Sequence, residues 1–192
     1  MKAHGSSTTL EDIEQLLIEA SRLTNHRHFV IGGSLCAIGA VMKPPPAMVM
    51  SRDVDLYPKF DPERGFHEIA QQLSAESPFF QEHGIYADAI SPRLLSLPQG
   101  WESRLLQIPL KGGVVAWFIE PNDAAIGKLM RGEEHDLRWV EAGVSEGILH
   151  LDTIEARLKQ TNNALNEDYD NARRNIASLR RSTSSTPSPR PT

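Results

Sequence analysis

Phe29-Val30-Ile31-Gly32-Gly33-Ser34, followed by Ser51-Arg52-Asp53-Val54-Asp55-Leu56, is the stretch on which the fold of this chain turns. Three apolar residues ending in two glycines read as a buried strand that breaks into a tight turn. A strand that stops at glycine and enters a helix exposes backbone N–H groups at a positive helix end, a natural phosphate site. Ser34 can add a hydroxyl there, or simply cap the helix. On the second stretch, Asp53 and Asp55 are two residues apart and so project from one face of a strand, roughly 6–7 Å from each other. At that spacing their repulsion is about 2–3 kcal/mol with an effective dielectric near 20. Such a pair needs solvent, basic partners or a cation. Val54 and Leu56 face the other way, as a core-packed face requires. Two carboxylates suit a hard oxygen-seeking ion such as Mg²⁺ better than zinc. Each motif alone has a plainer reading: a solvent-facing Asp-x-Asp loop, and an ordinary strand-to-helix turn.

Upstream, Thr9 and Asp12 form a capping box, and Leu10, Ile13, Leu16, Leu17, Ala20 and Leu23 then recur at helical spacing. Between the two motifs, residues 34–42 suit a short helix stopped by Pro44-Pro45-Pro46. Residues 47–50 and 54–57 read as extended. Downstream, 65–76 suits a helix and 84–90 a strand. Residues 105–110 and 114–119, joined by Lys111-Gly112-Gly113, form the clearest hairpin. From Pro121 the pattern is helical: one helix capped by Asn122 or Asp123 and running through Met130, another over 133–142, and one or two more over 152–181. A mixed β-sheet flanked by helices, with a C-terminal helical subdomain, is the α+β architecture this order favours. The divisions expected are a core over 1–120, a helical part of the same domain over 121–181, and a disordered Ser/Pro/Thr-rich tail over 182–192.

The 192 residues are enough to bury one core. No apolar run approaches the roughly 18 residues of a membrane span, and residues 1–9 lack the apolar stretch of a signal peptide. One cysteine, Cys36, cannot form an internal disulfide, so a reducing cytoplasm is the expected location. Net charge is −5, yet no acid follows Asp170 while Arg173, Arg174, Arg180, Arg181 and Arg190 do. An acidic body does not attract nucleic acid by its overall field, so RNA would need a local patch or this basic tail. His26 and His28 have no complementary Cys/His pair at zinc-ligand spacing. Cys36 reads as a small buried hydrophobe. Gly32-Gly33-Ser34 lacks the Gly-x-Gly-x-x-Gly spacing of a Rossmann dinucleotide site, and repeating βαβ units are absent.

Taken together, Gly-Gly-Ser after a strand and Asp53-Val54-Asp55 on the next one resemble the signature of the nucleotidyltransferase (polymerase-beta-like) superfamily. The gap between the motifs is longer than in many members, and the triple proline sits in that excess. The resemblance implies the nucleotidyltransferase fold, with Gly32, Gly33 and Ser34 binding the triphosphate and Asp53 and Asp55 holding the catalytic metals, Mg²⁺ or Mn²⁺. The superfamily adds a third carboxylate from a neighbouring strand. Asp88, the one acid inside the strand around Ile85-Tyr86-Ala87-Asp88-Ala89-Ile90, is the candidate, against the alternative of an edge-strand aspartate bound to a nearby arginine. Asp61, Glu102 and Glu120 lie in turns or at strand ends.

The likeness extends through Leu97-Pro98-Gln99-Gly100-Trp101-Glu102-Ser103-Arg104-Leu105 and Glu120-Pro121-Asn122-Asp123-Ala124-Ala125-Ile126-Gly127-Lys128-Leu129. These segments look like a bacterial branch related to abortive-infection and toxin–antitoxin nucleotidyltransferases, and the similarity covers roughly residues 25–158. It implies that Lys128 contacts the nucleotide phosphates, and that Asp136, in Glu134-His135-Asp136-Leu137, sits near the site or orients a basic residue. His135 stands where the branch has a basic residue before that aspartate. A plainer reading makes Lys128 a solvated helix-face lysine. Trp101 reads as a packing anchor at the base of the hairpin. The activity implied is metal-dependent transfer of a nucleoside monophosphate from a nucleoside triphosphate, catalysed by Asp53, Asp55, Asp88 and Lys128. The acceptor expected is RNA, a tRNA 3′ end above all, in a toxin–antitoxin or phage-defence setting. The alternatives are an antitoxin-type enzyme modifying a cognate protein partner, and a non-catalytic binding module that keeps the fold.

Overall fold

The computed structural model describes residues 7–162 and 164–184. Helix α1 (Leu10–Thr24) opens on the capping box: the Thr9 hydroxyl accepts from Asp12 N–H, while the Asp12 carboxylate accepts from Thr9 N–H. It is followed by β1 (His28–Ile31), a 3-10 segment (Ser34–Gly39), α2 (Pro46–Val49) and β2 (Asp53–Pro58). Then come α3 (Phe66–Gln72), α4 (Pro78–His83), β3 (Tyr86–Ala89), a 3-10 turn (Trp101–Arg104), and the hairpin β4 (Leu106–Pro109) and β5 (Val115–Phe118). Helices α5 (Pro121–Arg131), α6 (Glu134–Ser145), α7 (Leu151–Leu158) and α8 (Asn166–Ser184) complete the described residues.

The five strands form one mixed sheet in the order β3-β2-β1-β5-β4. β1 is antiparallel to β2 and parallel to β5, while β2 is parallel to β3. Side chains alternate across a sheet, so this register decides which residues share a face. Phe29 and Ile31 lie with Ala116 and Phe118 of β5 and Leu56 of β2, all buried, in one core that also holds Ile13, Leu16, Leu17 and Ala20 of α1. Asp53 and Asp55 point from the opposite face. Helix α5 packs against α6, α7 and α8, which makes it the centre of the helical half.

Several boundaries differ from the sequence reading. Residues 47–50, expected to be extended, belong mostly to α2. Pro46 supplies the fixed φ of a first helical turn, and Met48 and Val49 are buried by tertiary packing that no four-residue pattern can announce. The helix expected over 65–76 stops at Gln72, and α4 follows it, capped by Ser77, whose hydroxyl accepts from Phe80 N–H. Neither Asn122 nor Asp123 caps α5: the cap position is Glu120, with Pro121 at the first helical residue, and both side chains serve longer-range bonds. Residues 182–184, expected in the tail, continue α8; the rest of that tail lies outside the described residues.

Candidate active site

The glycine turn and the acidic strand are in direct contact. Gly32 N–H donates to Asp55 O at 2.9 Å, carrying the β1–β2 ladder past Ile31. Gly33 has φ 58° and ψ −149°, a conformation open to glycine and strained for other residues. A Cβ on Gly33 would lie 1.6 Å from Asp55 Oδ2, so only glycine lets the turn close over this carboxylate.

β3 brings the third acid. In the β2–β3 register Asp55 is opposite Asp88, and Asp53 opposite Tyr86, so the three aspartates share a face. One carboxylate oxygen from each of Asp53, Asp55 and Asp88 lies within 4.8 Å of the others. Ser51 Oγ donates to Asp53 Oδ1. Among the described residues no lysine or arginine pairs with any of the three; Arg52 instead donates to Gly84 O at 2.9 Å and lies over the Phe80 ring. The arginine-bound alternative for Asp88 therefore does not describe this structure. Burial, and then the charges of Asp53 and Asp88, push the Asp55 carboxyl from an ordinary 3.8 up to about 6. Burial and Asp53 also raise that of Asp88. Three convergent, mutually repelling carboxylates are a donor set that fits a hard divalent cation such as Mg²⁺ or Mn²⁺.

Across the turn stands a buried basic group. Lys128 of α5 is 4% exposed, which excludes the solvated-lysine reading. Its Nζ donates to Ser34 Oγ at 3.0 Å and to Asp136 Oδ1 at 2.9 Å, and lies 5.0 Å from the centre of the Trp139 ring. Asp136 also accepts two bonds from Arg131, Nε to Oδ2 at 2.9 Å and NH2 to Oδ1 at 3.0 Å. Burial would raise the Asp136 carboxyl, but the bonds from Arg131 and Lys128 outweigh it and hold it below its ordinary value. Asp136 thus orients two cations, while His135 beside it is largely exposed, with Nε2 3.6 Å from Asp136 Oδ1.

A family model described as a nucleotidyltransferase of unknown function (DUF6036) matches residues 8–183. The chain belongs to this family. No curated protein and no solved structure matches it. DUF6036 membership agrees with the superfamily resemblance read from the glycine turn and the Asp-x-Asp strand, and gives the chain nucleotidyl transfer as its general chemistry. No helix among the described residues is long and apolar enough to cross a membrane.

Turn, acids and lysine line one cavity of about 500 Å³ in this DUF6036 fold, closed on its other side by Leu94–Leu97 and the helices α5 and α8. Gly33, Ser34, Asp53, Asp55, Lys128, Arg131 and His135 line it directly. Gly32, Asp88 and Asp136 stand behind these or beside them, bonded or registered to a lining residue. Sequence reasoning missed Arg131 and Trp139. Arg131 is three residues after Lys128, one helical turn along the same face, and that spacing was the available signal. Trp139 Nε1 donates to Ser34 O at 3.0 Å and Met48 O at 3.2 Å, fixing the start of the 3-10 segment. Reasoning also missed a buried ion network at the start of α5. Asp123, fully buried, accepts from Arg104 and Arg157, both at 2.8 Å; Arg157 also pairs with Glu120. His28 accepts from Trp117 Nε1 at 3.1 Å, and Cys36 is buried, its thiol pushed up to about 12 by desolvation.

Proposed function

We propose that the chain transfers a nucleoside monophosphate from a nucleoside triphosphate to a hydroxyl of a macromolecular acceptor, RNA first of all. A divalent cation, Mg²⁺ or Mn²⁺, would be held by Asp53, Asp55 and Asp88. The observation that carries this is Gly33 closed onto Asp55, with a third carboxylate on one side and the buried Lys128 on the other. The N–H groups of Gly33 and Ser34 and the Ser34 hydroxyl receive the triphosphate, as a helix start receives any anion, while Gly32 N–H is taken by Asp55 O. Lys128, pre-set by Asp136, compensates phosphate charge without reorganising. The bound cation would neutralise phosphate charge and lower the pKa of the acceptor hydroxyl. The acceptor oxygen attacks the α-phosphorus in line and pyrophosphate leaves, so positioning and charge carry the rate.

The setting we infer from the sequence resemblance is toxin–antitoxin or phage defence. A protein hydroxyl as acceptor is the second reading, favoured by two observations. The body is acidic, and two arginines of α8 that could grip phosphate are ion-paired: Arg180 with Asp152 and Glu155, Arg173 with Asp170. The test is incubation with each α-labelled nucleoside triphosphate, Mg²⁺, total RNA and cell protein. Label should enter the RNA fraction and be lost in Asp53→Ala and Asp55→Ala with the circular dichroism unchanged. Label in protein alone supports the second reading. Undiminished transfer by both variants would remove the mechanism, and failure to bind any Mg²⁺–nucleotide would leave a non-catalytic module.

A further inference from the structure

We propose that Asp168 reads the base of the nucleotide and makes the site selective for guanine, so that GTP is the donor. This rests on the cavity being the nucleotide site. Its cations, Lys128 and Arg131, and the glycine turn lie with the metal-type acids at one end. Leu94, Leu95 and Leu97 add apolar side chains to the lining, as a flat heterocycle requires, while Ile90 stands beside Gly32. Asp168, on the first turn of α8, is the one carboxylate in the lining besides Asp53 and Asp55. A triphosphate is repelled by it, so phosphates belong with Lys128 and the base with Asp168.

This carboxylate is held rather than free to turn. Oδ2 accepts from Leu165 N–H at 2.8 Å, whereas Oδ1 makes no hydrogen bond among the described residues. The wall behind it is tied down as well. Asn171 donates to Met130 O at 3.4 Å and Asn175 to Leu129 O at 2.9 Å, fastening α8 to α5. Gln99 N–H donates to Gln160 O at 3.0 Å, fastening the stretch after Leu97 to the chain that leads into α8. A carboxylate is acceptor-only, so it matches an edge that offers adjacent donors. Guanine alone presents two, N1–H and the 2-amino group. Adenine and cytosine pair one amino group with a ring nitrogen lone pair, and uracil sets its single N–H between two carbonyls.

Calorimetric titration of the full chain with the Mg²⁺ complexes of GTP, ATP, CTP, UTP, ITP and dGTP tests this. GTP and dGTP should bind most tightly, by roughly ten- to hundred-fold over ATP, CTP and UTP, the range for hydrogen bonds to a charged group. ITP, lacking the 2-amino donor, should fall between. Asp168→Asn keeps an acceptor for Leu165 but puts an N–H against guanine; the GTP preference should collapse while ATP binding holds, a pattern that loss of the helix cap alone cannot produce. Equal binding of the four bases, preference for another base, or a uniform loss in Asp168→Asn would overturn the proposal. So would discrimination between GTP and dGTP with no base preference, which would assign Asp168 to the ribose. If Asp168→Asn fails to fold, the wild-type panel decides alone. Should no nucleotide bind, the reading of the cavity itself falls, a result distinct from indiscriminate binding.

Discussion

Asp55→Asn should stabilise the metal-free protein at alkaline pH and weaken its response to metal. Burial and two neighbouring carboxylates raise the Asp55 carboxyl from 3.8 to about 6. A carboxyl raised on folding is more protonated in the native than in the unfolded state between those values. Stability therefore falls as pH rises through this window, and the full penalty stands above it. Two pH units correspond to about 3 kcal/mol; water reaching the cavity mouth screens this to about 1–3 kcal/mol. An amide of the same shape carries no charge and escapes the penalty. Urea unfolding followed by tryptophan fluorescence, in chelator at pH 8 and at pH 4, measures it. At pH 8 the variant should gain about 1–3 kcal/mol, or roughly 3–10 °C in Tm for a chain of this size, with unchanged m. At pH 4 most of the gain should vanish. Mg²⁺ at a hundredfold excess over its Kd would then restore about 2.7 kcal/mol to the wild type and far less to the variant. A variant no more stable than wild type at pH 8 in chelator would refute the reasoning, because the carboxylates would then not be confined together.

Gly33→Ala should distort the turn, since its Cβ would meet Asp55 Oδ2 at 1.6 Å; a stability loss of about 1–3 kcal/mol and weaker Mg²⁺ binding by calorimetry are expected together. Asp136→Asn leaves Lys128 buried without its counter-ion and should cost about 3–5 kcal/mol in urea unfolding, with reduced affinity for Mg²⁺–nucleotide. In wild type the Asp136 contribution is present near neutral pH and is lost as pH falls through its lowered carboxyl value. Cys36, with its thiol pushed up to about 12 in the core, should resist thiol reagents at pH 8 until denaturant is added; fast labelling of the folded chain would contradict its placement.

The parts of the site that could be read from sequence are those built from neighbours in sequence: a turn, a two-residue alternation, and an acid alone within a strand. Asp53 and Asp55 were legible because strand geometry puts i and i+2 on one face. Asp88 was legible because β3 offers no other acid. The network at the start of α5 was not, because it joins Arg104, Glu120, Asp123 and Arg157, residues brought together only by the packing of the 3-10 turn before the hairpin, α5 and α7. A charged residue near Asn122 reads locally as a cap or a solvated face, and burial of a carboxylate requires partners whose approach no local pattern encodes. Lys128 shows the same limit: a solvated lysine and one sealed between Ser34 and Asp136 have the same sequence neighbourhood.

The long gap between the glycine turn and the acidic strand is resolved by the same distinction between local and paired geometry. What the site needs is Gly32 beside Asp55, and that is set by the antiparallel β1–β2 register and the Gly32 N–H to Asp55 O bond. The length of chain between them enters only through closure entropy, which grows slowly with added residues. The chain between them is not left as slack. Pro46 starts α2, Met48 is fully buried, and Trp139 of α6 bonds the carbonyls of both Ser34 and Met48. This segment thus becomes a strut between the glycine turn and the helical half. Removing it should loosen Ser34 and Lys128 before it disturbs the three aspartates, since these are held by strand pairing on the other side of the turn.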